Sequence, residues 1–367
     1  MSKKAKSSDP GWVRCERTYH PNDEALAATR CFLGNGLLGL RGSLDELGTK
    51  GVQGLYAAGV FRENFVRQFE TADTYTRKRL IFDEEIMPHG APVQQIQGLP
   101  DLLFCRIEIA GRVFRMWEGE VQEFERTLDL RQGTLVRRLR WIAKDDPVVS
   151  LVFERFCSWA DPRLLWQRIT VCPESAVSVK LAPGIDPLLE PELEGFRLGR
   201  EKDGWSGQVT CAGTGIAVAL AQRWRIRLAG TDFPGAGVWG EVFGRPACCY
   251  EADVAAGQEL QLERVTAVAP DNHPAYRTPE KDLAAIVAEA AVGGYERALG
   301  ESTAALGKLW EEADVTIEGP AEDQFTTRYA IYQLLAAAPW RHDHISLGAK
   351  CLSGPGYNGH VFWDNEI

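Results

Sequence analysis

The run Arg223-Trp224-Arg225-Ile226-Arg227-Leu228 alternates a cation with an apolar residue over six positions. Side chains on a strand point to opposite faces in turn. The pattern therefore puts Trp224, Ile226 and Leu228 on a core and the arginines in water. The same period recurs upstream. Leu103, Cys105, Ile107 and Ile109 alternate with Arg106 and Glu108, and Val177, Val179 and Leu181 alternate with Ser178 and Lys180. Further strand-like runs lie at 113–117, 134–142, 148–157, 165–171, 207–211, 216–222, 247–254 and 259–268. Turn-forming clusters such as Ala182-Pro183-Gly184-Ile185-Asp186-Pro187 separate them. Short strands about ten residues apart predict a large antiparallel β-sandwich.

Near residue 275 the texture becomes helical. Pro279 suits a first helical turn, and Glu280 and Asp282 favour a helix N-terminus. Leu283, Ile286, Val287 and Ala290 then follow helical spacing, and Gly293-Gly294 interrupts the run. A second amphipathic stretch carries Leu299, Leu306, Leu309 and Trp310, and Asp314 to Glu318 reads as a short extended link. A further helix is predicted over about 321–338, with Phe325, Tyr329, Tyr332 and Leu335 on one stripe and Pro339 ending it. Its second half is apolar almost all round, which implies burial on several sides. The fold class is thus mainly β followed by α.

The chain has 367 residues, enough for two domains at the usual size of about 150 each. Apolar residues at 45% and charged residues at 25% exclude wholesale disorder and collagen-like or low-complexity classes. The balance of 41 basic against 51 acidic residues, net charge -10, argues against nucleic acid or an anionic membrane as a partner. No window approaches the roughly 18 consecutive apolar residues of a membrane helix. The basic start Met1-Ser2-Lys3-Lys4-Ala5-Lys6 has no apolar stretch behind it, unlike a secretory leader. Nine cysteines without a Cys-x-x-Cys pair read as reduced thiols of a cytoplasmic protein.

Three motifs have plainer readings than their chemistry first suggests. Gly34-Asn35-Gly36-Leu37-Leu38-Gly39 matches a dinucleotide fingerprint literally. However, Gly42 follows soon after, no acidic residue lies about 20 positions on, and no βαβ texture surrounds it. It reads as a tight passage of backbone between strands. His342-Asp343-His344 could offer metal ligands, but no third ligand is placed, and a solvated loop is the expectation; no metal is assigned. Arg137, Arg138 and Arg140 beside Trp141 fall on both faces of one strand, which reads as solvated sheet surface rather than a nucleic-acid stripe.

The C-terminal run from Leu352 to Ile367 differs. Tyr357, Phe362 and Trp363 offer flat apolar faces, while Asn358, His360, Asp364 and Glu366 offer hydrogen-bonding groups. A sugar has an apolar C–H face and a rim of hydroxyls, so aromatics beside carboxylates suit a sugar site.

That run, with Gly348-Ala349-Lys350 ahead of it, resembles the signature of glycoside hydrolase family 65, which contains maltose, trehalose and kojibiose phosphorylases and some α-glucoside hydrolases. Phe32-Leu33-Gly34-Asn35-Gly36 to Arg41-Gly42, Tyr56-Ala57-Ala58-Gly59-Val60, Leu99-Pro100-Asp101, Leu128 to Gly133, Ala313 to Gly319 and Arg328 agree in order, so the resemblance covers essentially the whole chain. It implies an N-terminal β-supersandwich over 1–272, a helical linker over 273–312, and the beginning of an (α/α)6 catalytic barrel over 313–367. It also implies inverting phosphorolysis of an α-glucosyl disaccharide, giving β-glucose 1-phosphate. Inorganic phosphate is the co-substrate and no cofactor is needed. One catalytic acid then suffices, because phosphate replaces the activated water of an inverting hydrolase. Carried over, Trp363 is a stacking wall and Asp364 an acceptor for glucose hydroxyls, while Glu366, Tyr357 and His360 shape the pocket. The Gly-His-Val-Phe-Trp-Asp form of the motif leans towards the kojibiose or trehalose type.

The sequence also departs from the family. Cys351 stands where the family has glycine after Ala-Lys, and a positive φ there would strain it. Asn365 replaces the usual threonine. The family's catalytic glutamic acid and phosphate-binding residues lie well beyond this motif, so no catalytic residue is assigned. The expectation is an N-terminal half, truncated before that glutamate and inactive alone, whose partner is a downstream catalytic half or a second copy. The apolar face of 321–338 would then lack most of its partners. Two alternatives stand beside this: a non-catalytic carbohydrate-binding or interaction protein, and a fragment of an α-glucoside hydrolase of the same family.

Overall fold

The computed structural model describes residues 11–46, 54–65, 92–142, 147–186, 193–242, 244–340 and 344–363. The widest sheet holds, in spatial order, β1 (Val13–Glu16), β8 (Glu120–Asp129), β9 (Thr134–Ile142), β10 (Val148–Cys157), β11 (Leu164–Pro173), β19 (Leu260–Pro270), β15 (Ala217–Leu228), β14 (Gly204–Cys211) and β13 (Leu193–Glu201), with β16 (Thr231–Asp232) on β15. A five-stranded sheet runs β17 (Val238–Val242), β18 (Arg245–Val254), β12 (Val177–Pro183), β6 (Cys105–Ile109) and β7 (Arg112–Val113). A four-stranded sheet runs β2 (Leu33–Gly34), β3 (Leu38–Leu40), β4 (Leu55–Phe65) and β5 (Pro92–Leu99). Strand pairing among the described residues is antiparallel throughout. Local side chains close the hairpins: Asp129 Oδ1 accepts from the amides of Arg131 (2.8 Å) and Gln132 (3.0 Å), turning β8 into β9.

The alternation that opened the sequence reading lies on β15. Trp224 and Ile226 are buried, while Arg223, Arg225 and Arg227 face outward to pair with Glu201 and Asp232. Earlier on the strand the outward positions are Ala219 and Ala221, and these are buried too. They pack, with Val265, Ala267 and Ala269 of β19, against Leu283 and Val287 of a helix. The central strands are therefore covered on both faces, so β19 is buried almost without interruption rather than alternately.

Three helices are described: α1 (Glu24–Arg30), α2 (Glu280–Ala313) and α3 (Ala321–Ala337). The short α1 lies within 1–272, the span expected to form the β-supersandwich. The break expected at Gly293-Gly294 is a kink inside α2, where Gly294 has φ 79° and ψ 170°. Just past it, Tyr295 meets the rings of Phe156 (5.2 Å) and Trp166 (6.2 Å) edge-on. Trp310 Nε1 donates to the Leu130 carbonyl (3.0 Å), and Trp310 packs edge-on to Trp12 at 4.9 Å. Arg328 of α3 stacks over Trp12 (3.8 Å) and grips both oxygens of Asp314 (2.7 and 2.8 Å). Aromatic contacts thus fasten the helices to the sheet unit, and the bidentate Arg328–Asp314 pair joins α3 to the end of α2.

The apolar face of α3 is covered along one stripe, contrary to the expectation that it lacks most partners. Arg328, Tyr332, Leu335, Ala336 and Ala337 are buried, and Leu334 is left 56% exposed. Gly34 and Gly36 close on the C-terminal end of α3, while Trp12 and Asp314 cover Arg328. The Gly36 amide donates to the Ala336 carbonyl (2.9 Å), satisfying a group that the helix end leaves unpaired. Gly36 has φ +87°, and a Cβ there would lie 2.4 Å from the Ala338 oxygen. Asn35 is buried and uses all its amide capacity. Its Nδ2 donates to the carbonyls of Ser158 (2.8 Å) and Pro162 (3.0 Å), and its Oδ1 accepts from the amides of Leu37 (3.1 Å) and Leu38 (2.8 Å). The apparent nucleotide motif is the tight turn between β2 and β3.

One sequence reading is corrected. Arg138 is exposed and Arg140 pairs with Glu174 (2.6 Å), but Arg137 points inward and is only 4% exposed. It bonds Glu46 (2.9 Å) and stands 3.9 Å over the Phe153 ring. Beside it, the buried Asp45 accepts from Gln167 (2.6 Å), Arg155 (3.4 Å) and Arg137 (3.5 Å). Gln167 Oε1 in turn accepts from Arg264 Nε (2.9 Å), and Arg264 reaches the Phe104 carbonyl (3.2 Å). An internal polar layer thus ties the wide sheet to the segments after β3 and before β6. Burial there pushes the Asp101 carboxyl up to about 7 and lowers the Arg264 guanidinium. No helix among the described residues is long and apolar enough to cross a membrane.

Candidate functional site

The C-terminal loop over 344–363 lies against the four-stranded sheet. It begins after α3, where Ala338 turns extended and Trp340 Nε1 donates back to the Leu335 carbonyl (2.7 Å). Leu352 is buried against β3, and Ile345 packs on Gly59 of β4. The loop's short helical turn, Gly356–Gly359, sits on β5. Gly359 has φ +76°, and a Cβ on it would lie 2.6 Å from Ile96 Cβ, so only glycine permits this approach.

Between loop and sheet lies a cleft of about 530 Å³. Phe61, Gln94 and Ile96 come from the sheet, Asn272 from the end of β19, and Ser346 and His360 from the loop. Asn272 Nδ2 donates to the Gly59 carbonyl (2.7 Å), and His273 Nε2 engages the Ala58 carbonyl, which fixes the β4 wall. His344 also lines the cleft, whereas His342 and Asp343 lie outside the described residues. No group of three potential metal ligands occurs among the described residues.

Of the site residues predicted from sequence, Tyr357, His360 and Trp363 are described; Asp364 and Glu366 lie outside the described residues. Tyr357 and Phe362 form an exposed edge-to-face pair at 5.1 Å, and the Lys350 ammonium stands 5.4 Å above the Tyr357 ring. Trp363 follows and is 78% exposed. His360 turns into the cleft, where its Nε2 lies 2.6 Å from the Gln94 carbonyl and its ring 6.3 Å from Phe61. A carbonyl only accepts, so the imidazole proton is on Nε2. Sequence reading missed Phe61, Gln94 and Asn272. Its one signal was the Tyr56–Val60 stretch, whose Ala58 and Gly59 line the same cleft.

Cys351 has φ +53°, the left-handed conformation in which a side chain is strained. Its thiol is pushed up by burial, opposed by Lys350. Cys351→Gly relieves that strain but gives the unfolded chain more freedom, the two effects being about 1–2 and about 0.5–1 kcal/mol. We expect a net gain of about 0.5 kcal/mol, read as a small rise in the urea midpoint. A lowered midpoint would show that the half-buried thiol contributes more than the strain costs.

A profile described as the N-terminal domain of glycosyl hydrolase family 65 matches residues 15–309, and one described as that family's central catalytic domain matches residues 328–367. The chain belongs to glycosyl hydrolase family 65. It is 27% identical to a kojibiose phosphorylase of Halothermothrix orenii over 97% of this chain and 44% of that protein. It is 25% identical to a 3-O-alpha-D-glucosyl-L-rhamnose phosphorylase of Lachnoclostridium phytofermentans over 96% of this chain and 46% of that one. It is 23% identical to a 1,2-alpha-glucosylglycerol phosphorylase of Bacillus selenitireducens over 98% and 43%. The chain thus spans a little under half the length of these relatives. A solved structure of a protein from the human microbiome superposes with a TM-score of 0.81 at 19% identity over 97% of this chain and 45% of that one. It shares the fold: mostly β-sheet, with helices late in the chain.

Proposed function

We propose that the chain forms the β-supersandwich (1–272), the helical linker (273–312) and the opening of the (α/α)6 barrel (313–367) of an inverting phosphorylase of α-glucosyl disaccharides. The observation that carries this reading is the loop over 344–363, pinned to the sheet and presenting the Trp363 indole outward beside the Tyr357–Phe362 pair. Such a surface takes the C–H face of a pyranose, and the neighbouring Asp364 would accept its hydroxyl protons. Glu366, Tyr357 and His360 are carried over from the family resemblance as residues that would shape the pocket. A phosphate oxygen then attacks the anomeric carbon from the face opposite the departing sugar. The glycosidic C–O bond breaks as a family glutamic acid protonates the leaving oxygen, and β-glucose 1-phosphate forms. No residue of this chain is assigned the role of that acid. Membership of the family and the phosphorylase names of the relatives support the reaction class.

Calorimetric titration of the chain with kojibiose, trehalose and maltose tests the sugar site. Binding of at least one is expected, and Trp363→Ala should weaken it about tenfold, the loss of one aromatic contact. Absence of heat with every α-glucoside would overturn the reading. In a complemented enzyme, turnover that continues without phosphate would mark a hydrolase instead.

A further inference from the structure

The His360 imidazole contacts the sheet rather than the exposed aromatic group, and this places it differently from the other predicted site residues. Its Nε2 donates to the main-chain carbonyl of Gln94, 2.6 Å away on β5. Among the described residues β5 pairs with β4 alone and ends its sheet. Around this contact the loop is cross-tied. The Ala349 amide donates to the His360 carbonyl (3.1 Å), the His360 amide donates to the Tyr357 carbonyl (3.0 Å), and Gly359 lies flush against Ile96. Tyr357, Phe362 and Trp363 flank His360 within three residues on either side.

We propose that His360 is a positioning residue: its imidazole latches the aromatic loop to the edge of β5, so that the sheet unit sets the geometry of the sugar platform. The latch rests on the proposed sugar site for its purpose but not for its existence. Removing the hydrogen bond loosens the loop around 357–363, and the aromatic rings then have to be ordered by the ligand at a cost in affinity.

The test uses the full chain with His360→Leu, which keeps an apolar body and loses the donor, and His360→Gln, whose amide reaches the same carbonyl. Amide exchange of 344–363 is followed by mass spectrometry, and α-glucoside affinity by calorimetry. His360→Leu is expected to speed exchange across 348–360 about tenfold and to weaken affinity about fivefold, the scale of one hydrogen bond. His360→Gln is expected to restore both. Unchanged exchange in His360→Leu, or a His360→Gln variant as loose as His360→Leu, overturns the latch. Accelerated and rescued exchange in a chain that binds no α-glucoside supports the latch and overturns the sugar site, so the two failures are distinguishable.

Discussion

Arg137→Leu is expected to destabilise the protein by about 3–5 kcal/mol, the scale seen when one partner of a buried ion pair is removed. The guanidinium is almost fully buried between Glu46 and Asp45, whose side chains are 1% and 4% exposed. Without it, those carboxylates keep the Arg155 and Gln167 contacts to Asp45, but Glu46 loses the bidentate partner that justifies its burial. Urea unfolding followed by circular dichroism measures the loss. A companion Glu46→Leu substitution in the Arg137→Leu background should recover part of it, because no unpaired charge then remains at that position. A loss below about 1 kcal/mol for Arg137→Leu would show that water reaches the layer and that the pair is in effect a surface one.

Asn35→Ala is expected to cost about 3 kcal/mol, since four buried main-chain groups lose their partner at once. Asn35→Asp is the sharper probe. The carboxylate would keep the contacts to the Leu37 and Leu38 amides but turn an oxygen towards the Ser158 and Pro162 carbonyls, which have nothing to donate. Asn35→Asp at neutral pH should therefore be at least as unstable as Asn35→Ala. An Asp variant with wild-type stability would mean that its carboxyl stays protonated and donates to one of those carbonyls. The residue sits beside Gly36, which receives the end of α3, so both variants should also loosen the seam between sheet and helix.

The sheet was readable where burial follows parity, as at Trp224 and Ile226 on β15. It was not readable on β8, where a bulge between Gln122 and Glu125 shifts the register and Glu123 adopts φ +52°, breaking the period of two. The edge strand β13 was equally silent, because it carries two glycines and buries little. Within 113–117 only Val113 pairs as strand; the remainder turns back towards β8. Parity split Arg137 from Arg138 and Arg140 but did not say that its face is buried. Its partners come from Asp45 and Glu46, about ninety residues earlier, and no local pattern announces such a meeting. The candidate site divides in the same way. Tyr357, Phe362 and Trp363 are neighbours in sequence, so their chemistry was visible as a run. Phe61, Gln94 and Asn272 converge from three distant segments, and only the folded sheet brings them to one cleft.

The covering of β5 has a consequence for the molecule's behaviour in company. An open sheet edge is a template on which a strand from another chain can add, and repeated addition leads to fibres. Among the described residues the C-terminal loop is what covers that side of β5, with the His360 ring on its Gln94 acceptor and the Gly356–Gly359 turn against the strand. The segment proposed to hold sugar therefore also shields the sheet from strand addition. Damage that frees the loop would expose both an unsupported aromatic surface and an adhesive strand, so weakened ligand binding and aggregation should arise from the same lesions.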